Sequence, residues 1–563
     1  MERRFHYSVD LVAGLANVKN MSKGVPQDLQ KALHYLQSGP PEKCVSVCNE
    51  ILATNPGLVQ ALYLRGCAAF QMGDLSQSLS DLENVHRNHP EHLHAAYYFG
   101  RSLRAAGRLA EALAPLQASL GEKELEITSR YELATCLSRL RRRPEAIDHY
   151  QAIMKLQPDH AQAAANLASL LERENRLEEC EFWVGKALLM DPASETAQMT
   201  RATLDRRNGK YPEAAKQLRS LLATVDQPVN RSIAWNQLGQ CFEGEGKWNE
   251  AFNAFSESNR ILKAHHPGAS PDPRSPHSLQ TLSRIQEWLK EKPLVRWKEP
   301  ATGDGSGITF LVGFPRSGTT LLDRMLGAHP EIEVLEEKSL FSSLHQDWLE
   351  PGTLESLADV TEAQITDARA TYRREMSRHR RQPQRSLVID KLPLNLSYLF
   401  LIHRLFPEAP VIFLQRHPLD VCISCYFQSF ELEASMAYFL DIQHTAQYYD
   451  AVMQVASLSI GQLGNPLHKL CYEDLVAEPE AQLRALLGFL ALEWNDSVLQ
   501  YRQPHGADTI NTPSYQQVSQ ALYSQSIGKW QHYSKQLEPI LPVLQPWVKH
   551  FGYPDFLMTQ EPD

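Results

Sequence analysis

Small, apolar and turn-forming positions recur along residues 22–262 with a period of 34. Pro56, Pro90, Pro158 and Pro192 are spaced by 34, 68 and 34; Glu124 holds the missing place, and Pro228 lies two residues out of step. Ten residues after each mark stands Gly66, Gly100, Ala134, Ala168 or Ala202, and seventeen after stands Gly73, Gly107, Arg141, Asn175 or Gly209. Ser78, Ala112, Ala146, Cys180 and Ala214 follow at twenty-two, then Leu82, Leu116, Tyr150, Val184 and Leu218 at twenty-six. An offset last unit shows Gly239, Gly246, Ala251 and Phe255, and an earlier half-matching one Ala32, Gly39, Cys44 and Cys48. A small residue in each of two helices lets their backbones approach closely. Gly or Asn between them takes the left-handed turn conformation. Proline stops one helix and opens the next.

This helix–turn–helix period resembles the tetratricopeptide repeat. About seven units from residue 22 predict an all-α solenoid over residues 1–262, since no single unit can bury its apolar face alone. Its concave groove is expected to hold a protein or peptide, the plainer role being a scaffold or spacer. HHPGASPDPRSPHS (265–278) marks an exposed boundary. With the helical LQTLSRIQEWLKEKPL after it, residues 263–305 read as linker and connecting helix.

In the second half the pattern changes. ITFLVGF (308–314) is an apolar run suited to a buried strand, PRSGTT follows at 315–320, and LLDRMLGAHP continues as a helix. Strand, glycine turn and helix N-terminus cradle a phosphate, because the first helical N–H groups and the helix dipole face the anion. The string GFPRSGTT is close to a P-loop, yet Thr319 stands where a nucleotide triphosphatase has lysine, and the loop cation is Arg316. No acidic magnesium partner is evident; Asp390 of VID is followed directly by Lys391. A second strand–turn–helix, VIFLQRHPLDVCISCYFQSF (411–430), places Arg416 at a strand end and Ser424 on the next helix, a guanidinium and a hydroxyl able to clamp a second phosphate.

Composition narrows the classes. The 563 residues are 43% hydrophobic and 22% charged, which fits a multidomain globular protein and excludes a mostly disordered one. Lys plus Arg number 56 against 66 Asp plus Glu, a net charge of -10 that speaks against a dedicated nucleic-acid binder. No apolar run reaches membrane-spanning length, and MERRFHYSVDLVAGLANV is not read as a signal peptide. Nine cysteines, an odd number, are expected to be reduced thiols, including Cys44 with Cys48 and Cys422 with Cys425. A cytoplasmic location without a structural metal is expected.

Five blocks in order resemble the sulfotransferase family, particularly its tyrosylprotein branch: PRSGTTLLDRMLGAHPEIEVLEE at 315–337, IDKLPLN at 389–395, RHPLDVCIS at 416–424, YEDLV at 472–476 and SYQQVSQALYSQSIGKW at 514–530. The resemblance covers roughly residues 306–555. It implies an α/β, P-loop-like sulfotransferase domain with a parallel sheet over 306–563. It also implies 3′-phosphoadenosine 5′-phosphosulfate (PAPS) as sulfate donor, without a metal.

Carried over residue by residue, the resemblance implies that Arg316, Ser317, Gly318, Thr319 and Thr320 hold the 5′-phosphosulfate, and that Arg416 and Ser424 clamp the 3′-phosphate. Tyr472, Ser514 and Lys529 resemble further cofactor contacts. Glu337 matches the acceptor-activating base, with Glu336 and His329 as rivals, and Lys391 the cation at the bridging oxygen; His417 shapes a turn. VLEEK lacks the glycine usual before the Glu pair, and DKLPLN is a looser form of the lysine turn. The acceptor expected is a protein or peptide tyrosine presented with help from the repeats. A glycan, lipid or small metabolite, a non-catalytic repeat adaptor and a P-loop kinase are the other readings.

Overall fold

The computed structural model describes residues 27–266, 275–291, 305–341, 344, 348, 354–430, 435–462, 464–501 and 526–554, without the side chains of 355 and 356. It divides into two compact units, Met1–Gln217 and Leu218–Asp563. Among the described residues the first is all helical: α1 (Gln27–Ser38), α2 (Pro41–Thr54), α3 (Val59–Met72), α4 (Leu75–Asn88), α5 (Leu93–Ala105), α6 (Leu109–Ser119), α7 (Glu126–Arg139), α8 (Arg143–Leu156), α9 (Ala161–Arg173), α10 (Leu177–Met190), α11 (Glu195–Arg207) and α12 (Tyr211–Leu222), whose end crosses the division.

The repeat spacing has its expected physical basis. Gly73, Gly107, Arg141, Asn175 and Gly209, each between two helices of a pair, all have positive φ, from 58° to 80°. Arg141 and Asn175 accept this at some steric cost because the turn demands it. A Cβ on Gly66 would lie 2.7 Å from Leu82 Cγ, and one on Gly100 2.5 Å from Leu116 Cγ. The small position of one helix is therefore the seat for the large apolar residue sixteen later. Buried residues such as Tyr63, Tyr98 and Leu116 form one continuous apolar cluster, and Tyr150, Leu167 and Val184 another.

The second unit opens with α13 (Pro228–Gly244) and α14 (Trp248–His265), which close the repeat pattern: Gly246 has φ 73°, and Gly239 faces the Phe255 ring. Then come α15 (Leu279–Glu291), β1 (Ile308–Gly313), α16 (Thr319–Gly327), β2 (Ile332–Glu336), α17 (Glu362–His379), β3 (Leu387–Lys391), α18 (Leu399–Leu405), β4 (Val411–Gln415), α19 (Pro418–Phe427), α20 (Ile442–Ile460), β5 (Leu467–Cys471), α21 (Tyr472–Ala477), α22 (Pro479–Phe489), α23 (Ser534–Leu537) and α24 (Leu541–His550). The five strands among the described residues are all parallel, in the order β2-β3-β1-β4-β5. Central β1 is buried at every position, whereas the edge strand β5 is only partly buried.

The units divide differently from the boundary that the repeat pattern marks at 262. The reason is packing within the second unit. Asn236 Nδ2 on α13 donates to the Phe427 carbonyl at 2.8 Å, and Asn259 Nδ2 on α14 donates to that of Tyr426 at 2.8 Å. Helix C-termini leave such carbonyls without intrahelical partners, so the last repeat pair caps α19. The Phe255 and Phe427 rings stack at 4.1 Å. Similarly α15, expected as part of a linker, buries Leu282, Ile285, Trp288 and Leu289 and packs along α20. Asn236→Ala is expected to cost about 1–3 kcal/mol, the penalty for a buried carbonyl left unpaired; urea unfolding of the full chain measures it.

Candidate active site

In an open parallel sheet, ligands sit beyond the carboxyl ends of the strands where successive connections leave in opposite directions. Here the chain leaves β1 toward β2 and leaves β4 toward β5, so the crevice lies between the ends of the neighbouring strands β1 and β4. Every strand end carries a residue singled out by the sequence. Across the sheet they run Glu336 at the end of β2 with Glu337 just after it, Lys391 at the end of β3, Arg316 after β1, Arg416 after β4 and Tyr472 after β5. Residues up to 156 positions apart in the chain thus form one row.

The first cradle joins β1 to α16. Arg316 has φ 70°, and Gly318, the N-cap of α16, has φ 103°. Gly318 is required twice over, for that backbone and because a Cβ there would lie 2.2 Å from Tyr472 Cδ2. Thr319 and Thr320 begin the helix, whose first N–H groups lack intrahelical acceptors. Ser317 is buried, and its hydroxyl has no hydrogen-bond partner among the described residues. Arg316 Nε donates to Ser424 Oγ at 3.1 Å. Burial lowers the Arg316 guanidinium to about 10, with Arg416 pulling the same way, and it remains cationic at neutral pH.

The second cradle is built on Arg416. Its guanidinium lies 4.8 Å above the Tyr472 ring. Nη1 donates to the Arg316 carbonyl at 3.0 Å and Nη2 to the Ser526 carbonyl, while the buried Nε has no hydrogen-bond partner among the described residues. Tyr472 and Ser526 hydroxyls meet at 3.0 Å. Two guanidinium groups, buried hydroxyls and a helix N-terminus suit a ligand with more than one anionic group. The orphaned Ser317 Oγ and Arg416 Nε are donors of the kind such a ligand satisfies.

The third part is acidic. Lys391 has no exposed side-chain surface, and its Nζ lies 3.0 Å from Glu337, 3.6 Å from Asp323 and 3.9 Å from Glu336. Burial works against the ammonium, but the three carboxylates outweigh it and raise its pKa. Burial raises the carboxyls of Asp323 and Glu336, with Lys391 opposing. Glu337 differs from its two neighbours. It sits at φ 50°, its N–H donates to the Lys391 carbonyl at 2.7 Å, and 41% of its side chain is exposed. It is the carboxylate of this group that can meet an incoming molecule.

The rivals have other duties. His329 Nδ1 accepts from the Glu331 N–H at 3.2 Å, and its Nε2 lies 3.0 Å from the Glu493 carbonyl, so it shapes a buried turn. His417 caps α19 and stacks on Trp530 at 5.0 Å; burial lowers it to about 4. Asp390 is buried and accepts from Tyr372 OH at 2.8 Å, and burial raises it to about 7. Cys425 Sγ lies 3.3 Å from the Pro315 carbonyl, beneath the cradle, and none of the nine cysteines, all among the described residues, is disulfide-bonded.

Ser514 lies outside the described residues. Lys529 is described, but its ammonium is paired with Glu243 at 2.5 Å and lies 5.4 Å from the Phe427 ring centroid. Sequence reasoning missed Asp323, Asp420, Glu473 and Ser526. Asp420 accepts the N–H groups of Gly528 and Trp530, each at 2.8 Å, and so ties the GKW segment to α19. Glu473 accepts from the His417 N–H at 3.0 Å and from Tyr553 OH at 2.9 Å. Asp323 lies four residues after Thr319, on the same helix face as the cradle, the one local signal that could have flagged it.

Residues 309–496 match the sulfotransferase family model, and residues 63–125, 131–179 and 199–259 match a tetratricopeptide repeat model. An uncharacterized protein of Aquifex aeolicus (strain VF5) is 27% identical over 440 residues, 74% of this chain and 54% of that protein. Protein-tyrosine sulfotransferase 2 of Gallus gallus is 27% identical over 235 residues, 40% of this chain and 62% of that protein. Protein-tyrosine sulfotransferase A of Caenorhabditis elegans is 30% identical over 217 residues, 36% and 54%. The chain thus spans less than two thirds of each of these relatives. Among solved structures, YrrB, a TPR protein with an unusual peptide-binding site, overlaps 33% of this chain and 95% of its own at a TM-score of 0.29 and 18% identity. A tetratricopeptide repeat protein from Parabacteroides merdae overlaps 41% and 91% at 0.32 and 17%. One chain thus carries matches to a tetratricopeptide repeat model in its first half and to a sulfotransferase family model in its second.

Proposed function

We propose that the second unit transfers a sulfuryl group from PAPS to the hydroxyl of a tyrosine in a protein or peptide. The observation that carries this is the row of strand-end groups: two separate cationic cradles, at Arg316 and Arg416, beside one accessible carboxylate, Glu337. A donor with a 5′-phosphosulfate and a 3′-phosphate needs both cradles. Relatives named protein-tyrosine sulfotransferases support the choice of acceptor, and the repeats supply a surface for presenting a protein.

In the step itself the tyrosine oxygen attacks sulfur and the bond from sulfur to the bridging phosphate oxygen breaks, its electron pair leaving with the nucleotide. The phenolic proton passes to Glu337. Arg316 and the α16 N–H groups lie where negative charge develops on sulfuryl and leaving oxygens. Lys391 holds Glu337 in place; to add positive charge at the bridging oxygen its ammonium, which has no exposed surface here, has to turn away from the carboxylates around it. Ser424 joins the two cradles through its hydrogen bond with Arg316, and Tyr472 forms a wall for both. A cytoplasmic location accompanies this assignment; no helix among the described residues is long and apolar enough to cross a membrane.

Calorimetry tests the donor. Adenosine 3′,5′-bisphosphate should bind the full chain without magnesium and more tightly than ATP. Arg416→Ala should weaken it by about 10–100-fold, the worth of charge-assisted hydrogen bonds. A preference for magnesium–ATP, or an Arg416→Ala protein that binds as well as wild type, sinks the assignment. Transfer of labelled sulfate from PAPS to tyrosine peptides, absent from their phenylalanine counterparts, tests the acceptor.

A further inference from the structure

Segment 526–533 is fastened on two sides. Toward the cradles, Ser526 meets Arg416 and Tyr472, while Gly528 and Trp530 donate to Asp420. Toward the last repeat pair, Lys529 Nζ meets Glu243 Oε1 at 2.5 Å, Tyr533 OH donates to the same oxygen at 2.6 Å, and His532 stacks on Trp248 at 4.0 Å and 7°. Glu243 lies in the last turns of α13 and belongs to the repeat pattern, not to any of the sulfotransferase-like blocks. It takes the one cation of the GKW segment, whose neighbours on either side are bound to the helix that carries Ser424.

We infer that Glu243 of the last repeat is a latch on the nucleotide site, competing with a nucleotide phosphate for the Lys529 ammonium. This rests on the donor proposed above. With the latch closed, the Lys529 charge is neutralised by a carboxylate, and an anion arriving at the Arg416 cradle meets one cation fewer and one nearby carboxylate more. With the latch open, Lys529 turns to the phosphate, while Tyr533 and the Trp248–His532 stack keep the segment seated. The pair is suited to such exchange: Lys529 is 27% and Glu243 17% exposed, so neither ion is stranded in a dry interior when they part. The terminal repeat pair thereby becomes part of the catalytic unit and sets its nucleotide affinity.

The test is a calorimetric cycle on the full chain with adenosine 3′,5′-bisphosphate, comparing wild type, Glu243→Gln, Lys529→Ala and the double variant. Glutamine keeps an oxygen for Tyr533 and removes the charge. Glu243→Gln should tighten binding about two- to fivefold, the range of a partly exposed ion pair, and the gain should vanish in the Lys529→Ala background. An equal gain in both backgrounds reflects a general charge effect and overturns the latch. So does unchanged or weakened binding by Glu243→Gln when Arg416→Ala still shows the site to be real. No binding by either wild type or Glu243→Gln overturns the donor assignment and the latch together. Should the glutamine variant fold poorly, Glu243→Asp draws the charge back by one methylene, and a gain dependent on Lys529 is again the expected result.

Discussion

Glu337→Gln should lower turnover by about 10²–10⁴-fold, the usual worth of a positioned general base. Its affinity for adenosine 3′,5′-bisphosphate should stay within about twofold of wild type, because the cradles proposed for the nucleotide are formed by other strand ends. Glutamine preserves the size of the side chain and can keep an oxygen near Lys391 Nζ, which lies 3.0 Å from the native carboxylate. The substitution therefore removes the proton acceptor and leaves the support. Rate and binding must be measured together. A loss of both points to a disturbed fold, whereas near-normal turnover removes Glu337 from the chemistry. Glu336 is the less accessible carboxylate: its side chain is 20% exposed against 41% for Glu337.

Lys391→Met should be the most damaging single change to stability. The ammonium is fully buried among three carboxylates, and breaking a buried ion pair by removing one partner costs about 3–5 kcal/mol. The loss should depend on pH. Asp323 and Glu336 already have raised pKa values in the folded chain, and removing Lys391 raises them further. The folded variant then binds more protons than the unfolded chain, so its stability falls as pH rises above the ordinary carboxylate range of about 4. Denaturant midpoints at pH 5 and pH 8 check this: the deficit against wild type should be larger at pH 8. An equal deficit at both values shows that lost packing, not stranded carboxylates, accounts for the damage.

The repeats and both cradles were legible in the sequence because each is local. A left-handed turn needs a residue that tolerates positive φ, and the positions seventeen after each mark adopt it even where they are Arg141 and Asn175. A strand, a glycine turn and a helix start announce a phosphate loop within about fifteen residues of chain, and the loop at Arg316 to Thr320 has that form. Lys529 was legible as part of a motif, but not its partner.

The sequence by itself thus determined the helical repeat, the two strand–turn–helix units and the cationic and hydroxyl groups at their turns. The tertiary structure decided which carboxylate is accessible, by enclosing Asp323 and Glu336 around Lys391 and leaving Glu337 partly exposed. It also decided that the last repeat pair belongs with the second unit, through Asn236, Asn259 and Glu243. The physical reason is separation along the chain. Glu243 and Lys529 lie 286 residues apart and Asn236 and Phe427 191 apart. Propensity and periodicity act over a few turns of helix, whereas such pairs form only when packing of the apolar faces brings distant polar groups together and burial obliges them to find partners.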